Sequence, residues 1–428
     1  TITSATTVSA LDSAVATSNI LDATTHSLVR TVDALGRQLT ETAPDGSVTT
    51  YSYDAGNRLT GISVNIGGGG TATQMVDGIT YNARGQRLTA IQGDASGTHT
   101  TTTYTHDDNR FWVTDIQTQR STDTTGNLLQ DLAYTRDPCG NITQVTDNAH
   151  QTHFFDNTQV TPTRTFTYDA LYRLTEATGR EKTTRASQTW GLPGKGGLPD
   201  SGATNTVLEN YTEQYTYDKA GNITELKHIP SSSATWTRSY TYASGNNQLL
   251  STSEPAAGGG TRNDSYVHNV RGAMVFMPHL DTSSGTDNVE RDFRDHIRQI
   301  TTDSSGNEAW YVYDAGGQRV AKRVESPDTR IRLYLWGYEL YREYDSGGSV
   351  AEEWSVLHVM DDQRRVALVE TQTVGGSDKF LRFQFTDHLG TAAVECDGHD
   401  GMSIISYEEY HPYGTSAWWA EKSALEVS

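Results

Sequence analysis

Apolar and polar positions along the chain fall into a recurring unit. An aromatic residue, any residue and a second aromatic are followed by Asp, a short Gly-bearing turn, and a run in which an apolar residue and Thr lead to another apolar position. Tyr51-Ser52-Tyr53-Asp54-Ala55-Gly56-Asn57-Arg58-Leu59-Thr60 is one copy. Tyr81-Asn82-Ala83-Arg84-Gly85-Gln86-Arg87-Leu88-Thr89 and Tyr134-Thr135-Arg136-Asp137-Pro138-Cys139-Gly140-Asn141-Ile142-Thr143 are two more. Phe166-Thr167-Tyr168-Asp169, Tyr215-Thr216-Tyr217-Asp218 and Tyr311-Val312-Tyr313-Asp314 open further copies, with weaker ones at Val32-Asp33, Tyr240-Thr241-Tyr242 and Tyr266-Val267-His268-Asn269. Neighbouring turn positions, weaker copies included, lie about 21 to 55 residues apart, so the connecting loops carry insertions.

Each part of the unit has a physical reading. Residues two apart on a strand share a face, so Tyr51 and Tyr53, or Tyr215 and Tyr217, point the same way and are placed to stack on neighbouring strands. Asp opens the turn by accepting backbone N–H groups two residues on. Asp first and Gly three later is the type I preference. Asp33 to Gly36, Asp137 to Gly140, Asp218 to Gly221 and Asp314 to Gly317 obey it, as do Asn82 to Gly85 and Asn269 to Gly272 with Asn leading. The Tyr53 copy reads one residue short, and the Asp169 copy has Tyr172 where Gly is expected, so its turn should differ. After the turn, Leu59-Thr60-Gly61-Ile62 and Ile223-Thr224-Glu225-Leu226 space apolar residues by three, which favours a bulged strand over a helical turn. Such a hairpin buries one face and needs stacked neighbours to fold. The pattern predicts an all-β chain, a long antiparallel sheet of hairpins.

Composition agrees. The 428 residues include 22 Tyr and 39 Gly and are rich in Thr, Asp and Asn, which suit strands and the turns between them. Lys plus Arg is 33 against 53 Asp plus Glu, a formal charge of −20. That is opposite to the basic field of a nucleic-acid binder. No apolar run is long enough to span a membrane as a helix, and no signal peptide opens the sequence. Cys139 and Cys396 are too few for a disulfide framework or a Cys-rich zinc site. Both are expected to be half-buried thiols.

The nine copies together resemble the RHS/YD-repeat family and cover most of residues 30–325. Phe385-Thr386-Asp387-His388-Leu389-Gly390-Thr391 resembles the Asp-His-Leu-Gly stretch of the RHS-associated core. Tyr407-Glu408-Glu409-Tyr410-His411-Pro412-Tyr413-Gly414 resembles the aromatic-Pro-aromatic-Gly stretch that follows it. Leu129 to Tyr134 leading into Asp137-Pro138-Cys139-Gly140-Asn141 is similar to the C subunits of insecticidal toxin complexes (Tc toxins). So is Tyr168-Asp169-Ala170-Leu171-Tyr172-Arg173-Leu174 with Ala177-Thr178-Gly179-Arg180-Glu181.

This resemblance implies a spiralling antiparallel sheet of YD/RHS hairpins forming part of a hollow shell. It implies that B and C subunits together enclose a C-terminal toxic polypeptide, that the assembly docks on a channel-forming A subunit, and that the complex is secreted. It suggests residues 1–30 as a partly irregular N-terminal segment, 31–330 as the repeat wall and 331–428 as the beginning of the RHS-associated core. Family self-cleavage is expected only downstream of residue 428, so no residue here is assigned to it and the chain reads as a shell fragment, not an enzyme. The alternative is an extracellular YD-repeat adhesion or carbohydrate-binding protein whose exposed Tyr and Trp stack on sugars.

Candidate chemistry is sparse. The Asp387-His388 pair could be a base and its orienter, but a turn with Asp387 capping and Gly390 at a special backbone angle explains it better. Cys396-Asp397-Gly398 and His399-Asp400-Gly401 suit a hairpin loop more than a metal site. The repeated Asp residues give one acid per unit, too few for calcium. No nucleophile-elbow, phosphate-loop or zinc-protease motif occurs. Neither a cofactor nor a metal is expected. Trp418-Trp419, within Ala417-Trp418-Trp419-Ala420-Glu421-Lys422-Ser423-Ala424-Leu425, could form a short helix. The residues expected to matter are architectural: Tyr53, Asp54, Tyr81, Gly85, Tyr134, Asp137, Gly140, Tyr168, Asp169, Tyr217, Asp218, Gly221, Tyr313, Asp314 and Gly317 in the repeats. In the core motif they are Asp387, His388, Leu389, Gly390, Tyr410, Pro412, Tyr413 and Gly414.

Overall fold

A computed structural model describes residues 25–121, 128–155, 158–183, 208–255, 260–278, 280, 287–301, 307–326 and 328–421. Two compact units emerge. One draws on residues up to Gly85, Ala90–Gly97 and Ala273–Phe383. The other draws on Gln86–Thr89, Thr98–Gly272 and the residues from Gln384 on. No helix among the described residues is long and apolar enough to cross a membrane.

Within the first unit, successive strands pair antiparallel from Val29–Val32 through Gln38–Thr42, Val48–Tyr53 and Leu59–Asn65 to Thr73–Tyr81. A second series runs from Val289–Arg291 through Tyr338–Tyr344 and Val350–Met360 to Lys379–Thr386. Its core is aliphatic and aromatic: Ile62, Val64, Met75, Val359, Ala367 and Phe383 are almost wholly buried.

The second unit repeats the arrangement. One run pairs His99–His106, Val113–Arg120, Leu128–Arg136 and Ile142–Asp147 with Thr163–Tyr168. It continues through Leu174–Lys182, Leu208–Tyr217, Ile223–Pro230, Trp236–Tyr242 and Leu249–Pro255 to Thr261–Ser265. Ala392–Asp397, Ser403–Tyr410 and Ser416–Glu421 form another. Ala177, Tyr215 and Leu226 centre one cluster, with Phe166, Leu174, Tyr217, Ile223, Trp236 and Tyr240 packed on it. Part of this unit's interior is polar. Thr102 and Thr118 share a 2.9 Å hydroxyl bond across two strands, and Gln130 Nε2 donates to Thr118 Oγ1 at 3.1 Å. Cross-strand Thr pairs of this kind stabilise sheets where apolar residues are scarce.

The hairpin turn is the unit of construction. At Asp33, Asp54, Asn82, Asp137, Asp169, Asp218, Asn269 and Asp314 the fourth residue donates its N–H to the carbonyl of the first. That fourth residue has positive φ, from 62° at Tyr172 to 100° at Gly140. This is a type I turn followed by a left-handed residue, a three-residue hairpin loop. The structure corrects two expectations. The Tyr53 copy is full length, because Asn57 (φ 66°) and not Gly56 takes the left-handed place. The Asp169 turn does not differ, because Tyr172 itself adopts φ 62° with its ring exposed. Asn enters this region readily, whereas Tyr does so at about 1–2 kcal/mol.

The bulge after the turn is present. Pairing steps from Ser52↔Gly61 to Tyr53↔Leu59, leaving Thr60 unpaired, and Thr175 and Thr224 are passed over in the same way. One extra residue shifts the side-chain alternation by one, so Leu59 and Ile62, three apart, are both buried.

Three further expectations are corrected. Ser416–Glu421, which contains Trp418 and Trp419, is a strand and not a helix; antiparallel pairing with Ser403–Tyr410 overrides local preference. The two cysteines are not alike: Cys139 is exposed in a hairpin loop, while Cys396 is fully buried. Burial pushes the Cys396 thiol up to about 12.

Candidate functional site

The repeat residues form a latch between hairpins. In each turn the leading carboxylate gathers local donors. Asp54 Oδ1 accepts the amides of Gly56 and Arg58, and its Oδ2 takes Arg58 Nε at 2.9 Å. Asp169 treats Leu171 and Arg173 alike. At Asp137 and Asp218 the fifth residue is Asn141 or Asn222, whose amide side chain replaces the guanidinium. The backbone amides of Arg58 and Arg173, with their guanidiniums, hold the Asp54 and Asp169 carboxyls below their usual range. These carboxylates are spent on the turn and leave nothing for a bound cation.

The tyrosine immediately before the turn reaches back. Tyr53 Oη donates to the Gln38 carbonyl (3.0 Å), Tyr81 to Leu59 (2.7 Å), Tyr168 to Ile142 (2.8 Å), Tyr217 to Leu174 (2.6 Å) and Tyr242 to Ile223 (3.0 Å). Every acceptor is the residue just before the bulge of the preceding hairpin, where the strand ladder is interrupted. The guanidinium of the preceding turn then covers the same ring: Arg37 over Tyr53 at 4.8 Å, Arg58 over Tyr81 at 5.0 Å, Arg173 over Tyr217 at 4.7 Å. In the Tyr313 copy the stacking partner is His296, 4.7 Å away. The expected stacking of repeat tyrosines on one another is therefore replaced by Arg–Tyr stacking and a hydroxyl–carbonyl bond. The bulge exposes a carbonyl, and a phenol satisfies it better than a second ring.

The core-motif segments prove to be the same turn. Gly390 (φ 84°) donates to the Asp387 carbonyl, and Leu389 and Thr391 amides bind Asp387 Oδ1. Asp387 is thus occupied by backbone and does not orient His388. The His388 ring instead lies edge-on to Tyr134, centroids 4.9 Å apart, and the His388 backbone N–H donates to Tyr134 Oη. Burial lowers the His388 pKa. Cys396 and Asp397 end a strand and Gly398 to Met402 form the hairpin loop, with His399 N bound to Asp397 Oδ1. In the last copy Gly414 (φ 90°) donates to the His411 carbonyl, with Pro412 at the position where Pro suits a type I turn. Tyr410 latches to Ala392 O at 2.9 Å. Tyr413 meets Tyr215 edge-on at 5.2 Å and Tyr217 Oη at 3.1 Å. Sequence reading passed over further turns at Ala43, Asp292 and Asp345, because none has the aromatic-x-aromatic lead.

His411 occupies the position that Asp or Asn holds in the aromatic-led three-residue repeat turns, and it brings a buried polar cluster with it. Its Nδ1 faces Thr415 Oγ1 at 2.9 Å, and its Nε2 lies 3.1 Å from Glu181 Oε2. Glu181 Oε1 lies 2.8 Å from His228 Nε2, and His228 Nδ1 lies 3.2 Å from Glu213 Oε1. Tyr211 and Trp236 stack on the two sides of the His228 ring. Gly179 makes this possible, since a Cβ there would sit 2.8 Å from the Tyr211 ring. Burial alone would depress His228, but its bonds to Glu181 and Glu213 raise it to about 9. Burial alone would raise Glu181; the two histidines pull it below the usual carboxylate range. Beside it, Arg180 (1% exposed) binds both oxygens of Glu409, Nε–Oε1 at 3.0 Å and Nε–Oε2 at 3.2 Å. Tyr407 Oη also donates to Glu409, and Arg180 lies over Trp418 at 4.8 Å. Sequence reading missed this cluster; the only signal was His in place of Asp at 411.

The fold and its latch define a class of repeat β-wall, and comparison with known proteins gives that class a name. The family model "RHS Repeat" matches residues 32–70 of this chain. It is homologous to Tc toxin C subunits. Toxin subunits YenC2 and YenC1 of Yersinia entomophaga are each 29% identical to it, over 94% and 92% of this chain and 41% and 40% of their own length. The chain therefore spans about two fifths of these curated relatives. A crystal structure of TcdB2-TccC3 superposes with a TM-score of 0.78 at 27% identity, covering 97% of this chain and 20% of that one. A Photorhabdus luminescens Tc holotoxin pore superposes at 0.77, also 27% identical, covering 94% and 18%.

Proposed function

We propose that this chain is a segment of the wall with which a Tc-type C subunit, joined to a B-type subunit, encloses a C-terminal toxic polypeptide for delivery through an A-type channel subunit. In this reading residues 31–330 are repeat wall and 331–428 begin the RHS-associated core. The wall itself is the activity, the chain catalyses nothing and needs no cofactor, and the assembled complex acts outside the producing cell. The observation that carries the reading is the latch: one hairpin design, locked to its neighbour by a tyrosine hydroxyl, recurs in both units and in the core motif. A wall built of nearest-neighbour contacts extends without needing a central core. The likeness to TcdB2-TccC3 over nearly the whole chain supports the same reading.

The test is protection. A reporter polypeptide fused after Ser428 is produced with and without a B-type subunit, and the purified material is treated with protease. Survival of the reporter only with the B subunit is expected. Digestion at equal rates in both would overturn encapsulation, and specific binding of the chain alone to a glycan array would favour the adhesion alternative.

A further inference from the structure

We infer that Glu181, His228 and His411 form a binding site for one divalent transition-metal ion of the zinc class. Their donor atoms, one from each residue, all lie within 4.8 Å of one another. At Zn–ligand lengths of about 2.0–2.1 Å, tetrahedral donors sit about 3.3 Å apart. Glu181 Oε1 lies 2.8 Å from His228 Nε2 and Oε2 lies 3.1 Å from His411 Nε2, so an ion between the two rings meets the carboxylate from either side, and the widest donor separation, up to 4.8 Å, closes on binding. Two imidazoles and one carboxylate suit zinc and its borderline neighbours rather than calcium or magnesium.

Three ligands in reach are not enough to distinguish a metal site from a hydrogen-bonded cluster. The outer partners make the distinction. Metal-bound histidines characteristically have the second ring nitrogen held by a carboxylate, hydroxyl or carbonyl, which fixes the tautomer and aims the free nitrogen. Both histidines are held in this way: His228 Nδ1 by Glu213 and His411 Nδ1 by Thr415, with each Nε2 aimed at Glu181. Glu213 is itself fixed by the Tyr215 hydroxyl. The walls are aromatic and exclude water, with Tyr211 and Trp236 on His228 and Tyr211 edge-on to His411 at 4.7 Å. Sequence supports the geometry. A turn needs only Asp or Asn at its first position, and His at 411 frees an Nε2 that neither of those could supply.

The inference stands apart from encapsulation and is tested on the purified, tag-free chain after chelation. Co²⁺ is titrated in, ligand-field absorption is recorded, and Zn²⁺ competition gives affinity. The decisive variant is His411→Asn, since Asn leads the same turn at Asn82 and Asn269 and should leave the fold intact. We expect one equivalent of Co²⁺ with tetrahedral-type absorption, displaced by Zn²⁺. His411→Asn should weaken Zn²⁺ binding at least about 100-fold, and Glu213→Gln about 10–100-fold. Melting temperatures of parent and His411→Asn should coincide in chelator and separate in Zn²⁺. Absence of stoichiometric Co²⁺ uptake by the parent, or equal affinity in His411→Asn from the chain's other histidines, would overturn the site and leave an ion-pair cluster.

Discussion

Breaking the Arg180–Glu409 pair should destabilise the second unit more than almost any other single change, and restoring the balance of charge should recover much of the loss. Arg180 is 1% exposed and Glu409 7%, and the guanidinium meets both carboxylate oxygens. Burial alone would raise Glu409, yet Arg180 and then Arg164 hold it below the usual range. Removing one partner of such a pair leaves an uncompensated buried charge, at about 3–5 kcal/mol. Glu409→Gln leaves both Arg180 and Arg164 facing a neutral amide and falls at the upper end. Arg180→Met leaves Glu409 with Arg164 and falls nearer 2–3 kcal/mol. The double variant removes both charges at the pair and packs a thioether under Trp418, so its loss should fall at least about 1–2 kcal/mol short of the sum. Thermal melts followed by tryptophan fluorescence report it. At about 2–4 °C per kcal/mol for a unit of this size, Glu409→Gln, at about 4–5 kcal/mol, should melt about 8–20 °C low. Strict additivity in the double variant, or single variants melting within about 2 °C of the parent, would show that the charges are solvated and that the pair does not bind Ser403–Tyr410 to Leu174–Lys182.

Other outcomes follow from the same structure. Tyr217→Phe removes the hydroxyl from the Leu174 carbonyl and should cost about 1–2 kcal/mol in urea unfolding, with Tyr242→Phe similar; unchanged midpoints would remove the latch from the energetics. Tyr172→Gly relieves a left-handed tyrosine at some expense in chain entropy, for a net gain of about 0.5–1 kcal/mol; a lowered midpoint would contradict that. Burial, then the charge and hydrogen bond of Asp131, raise Asp115 to about 6. A carboxyl raised above its unfolded value of 3.8 favours the fold while protonated, so its contribution is lost as pH rises from about 4 through 6. Asp115→Asn should therefore stabilise at pH 7.5 by about 1 kcal/mol, a figure discounted because the pair is part exposed. The advantage should vanish near pH 4, and a pH-independent effect would rule out the coupling.

How much of this was legible beforehand differs between the wall and the cluster. The hairpins were readable because their determinants are local: Asp at the first turn position, Gly at the fourth, Thr at the bulge. The misreadings at Gly56 and Tyr172 share one cause. The turn requires a backbone angle, and Gly is merely the residue that adopts it most easily; Asn57 and Tyr172 are held there by the surrounding strand pairs. Trp418 and Trp419 misled for a related reason, since local helix preference carries no knowledge of the strand waiting to pair. The tyrosine–carbonyl latch was half visible, the ring but not its acceptor, because the acceptor exists only once the bulge has formed. Glu181, His228 and His411 were invisible as a group, since residues 181 and 411 meet only through long-range packing.

The latch also explains how a chain only 35% apolar holds together at all. A conventional core concentrates burial in one place and makes each insertion a global matter. Here each hairpin draws its support from the one before it: a carbonyl freed by the bulge, a phenol that reaches it and, at Tyr53, Tyr81 and Tyr217, a guanidinium that covers the phenol and returns to the turn carboxylate. That circuit closes within two neighbouring hairpins, so a loop elsewhere can lengthen without disturbing it, which is why the spacing of the copies varies while their internal geometry does not. The exceptions are then informative. Where the circuit is broken, as at His411, the displaced side chain is free for a different task. The polar cluster collects at that departure from the repeat.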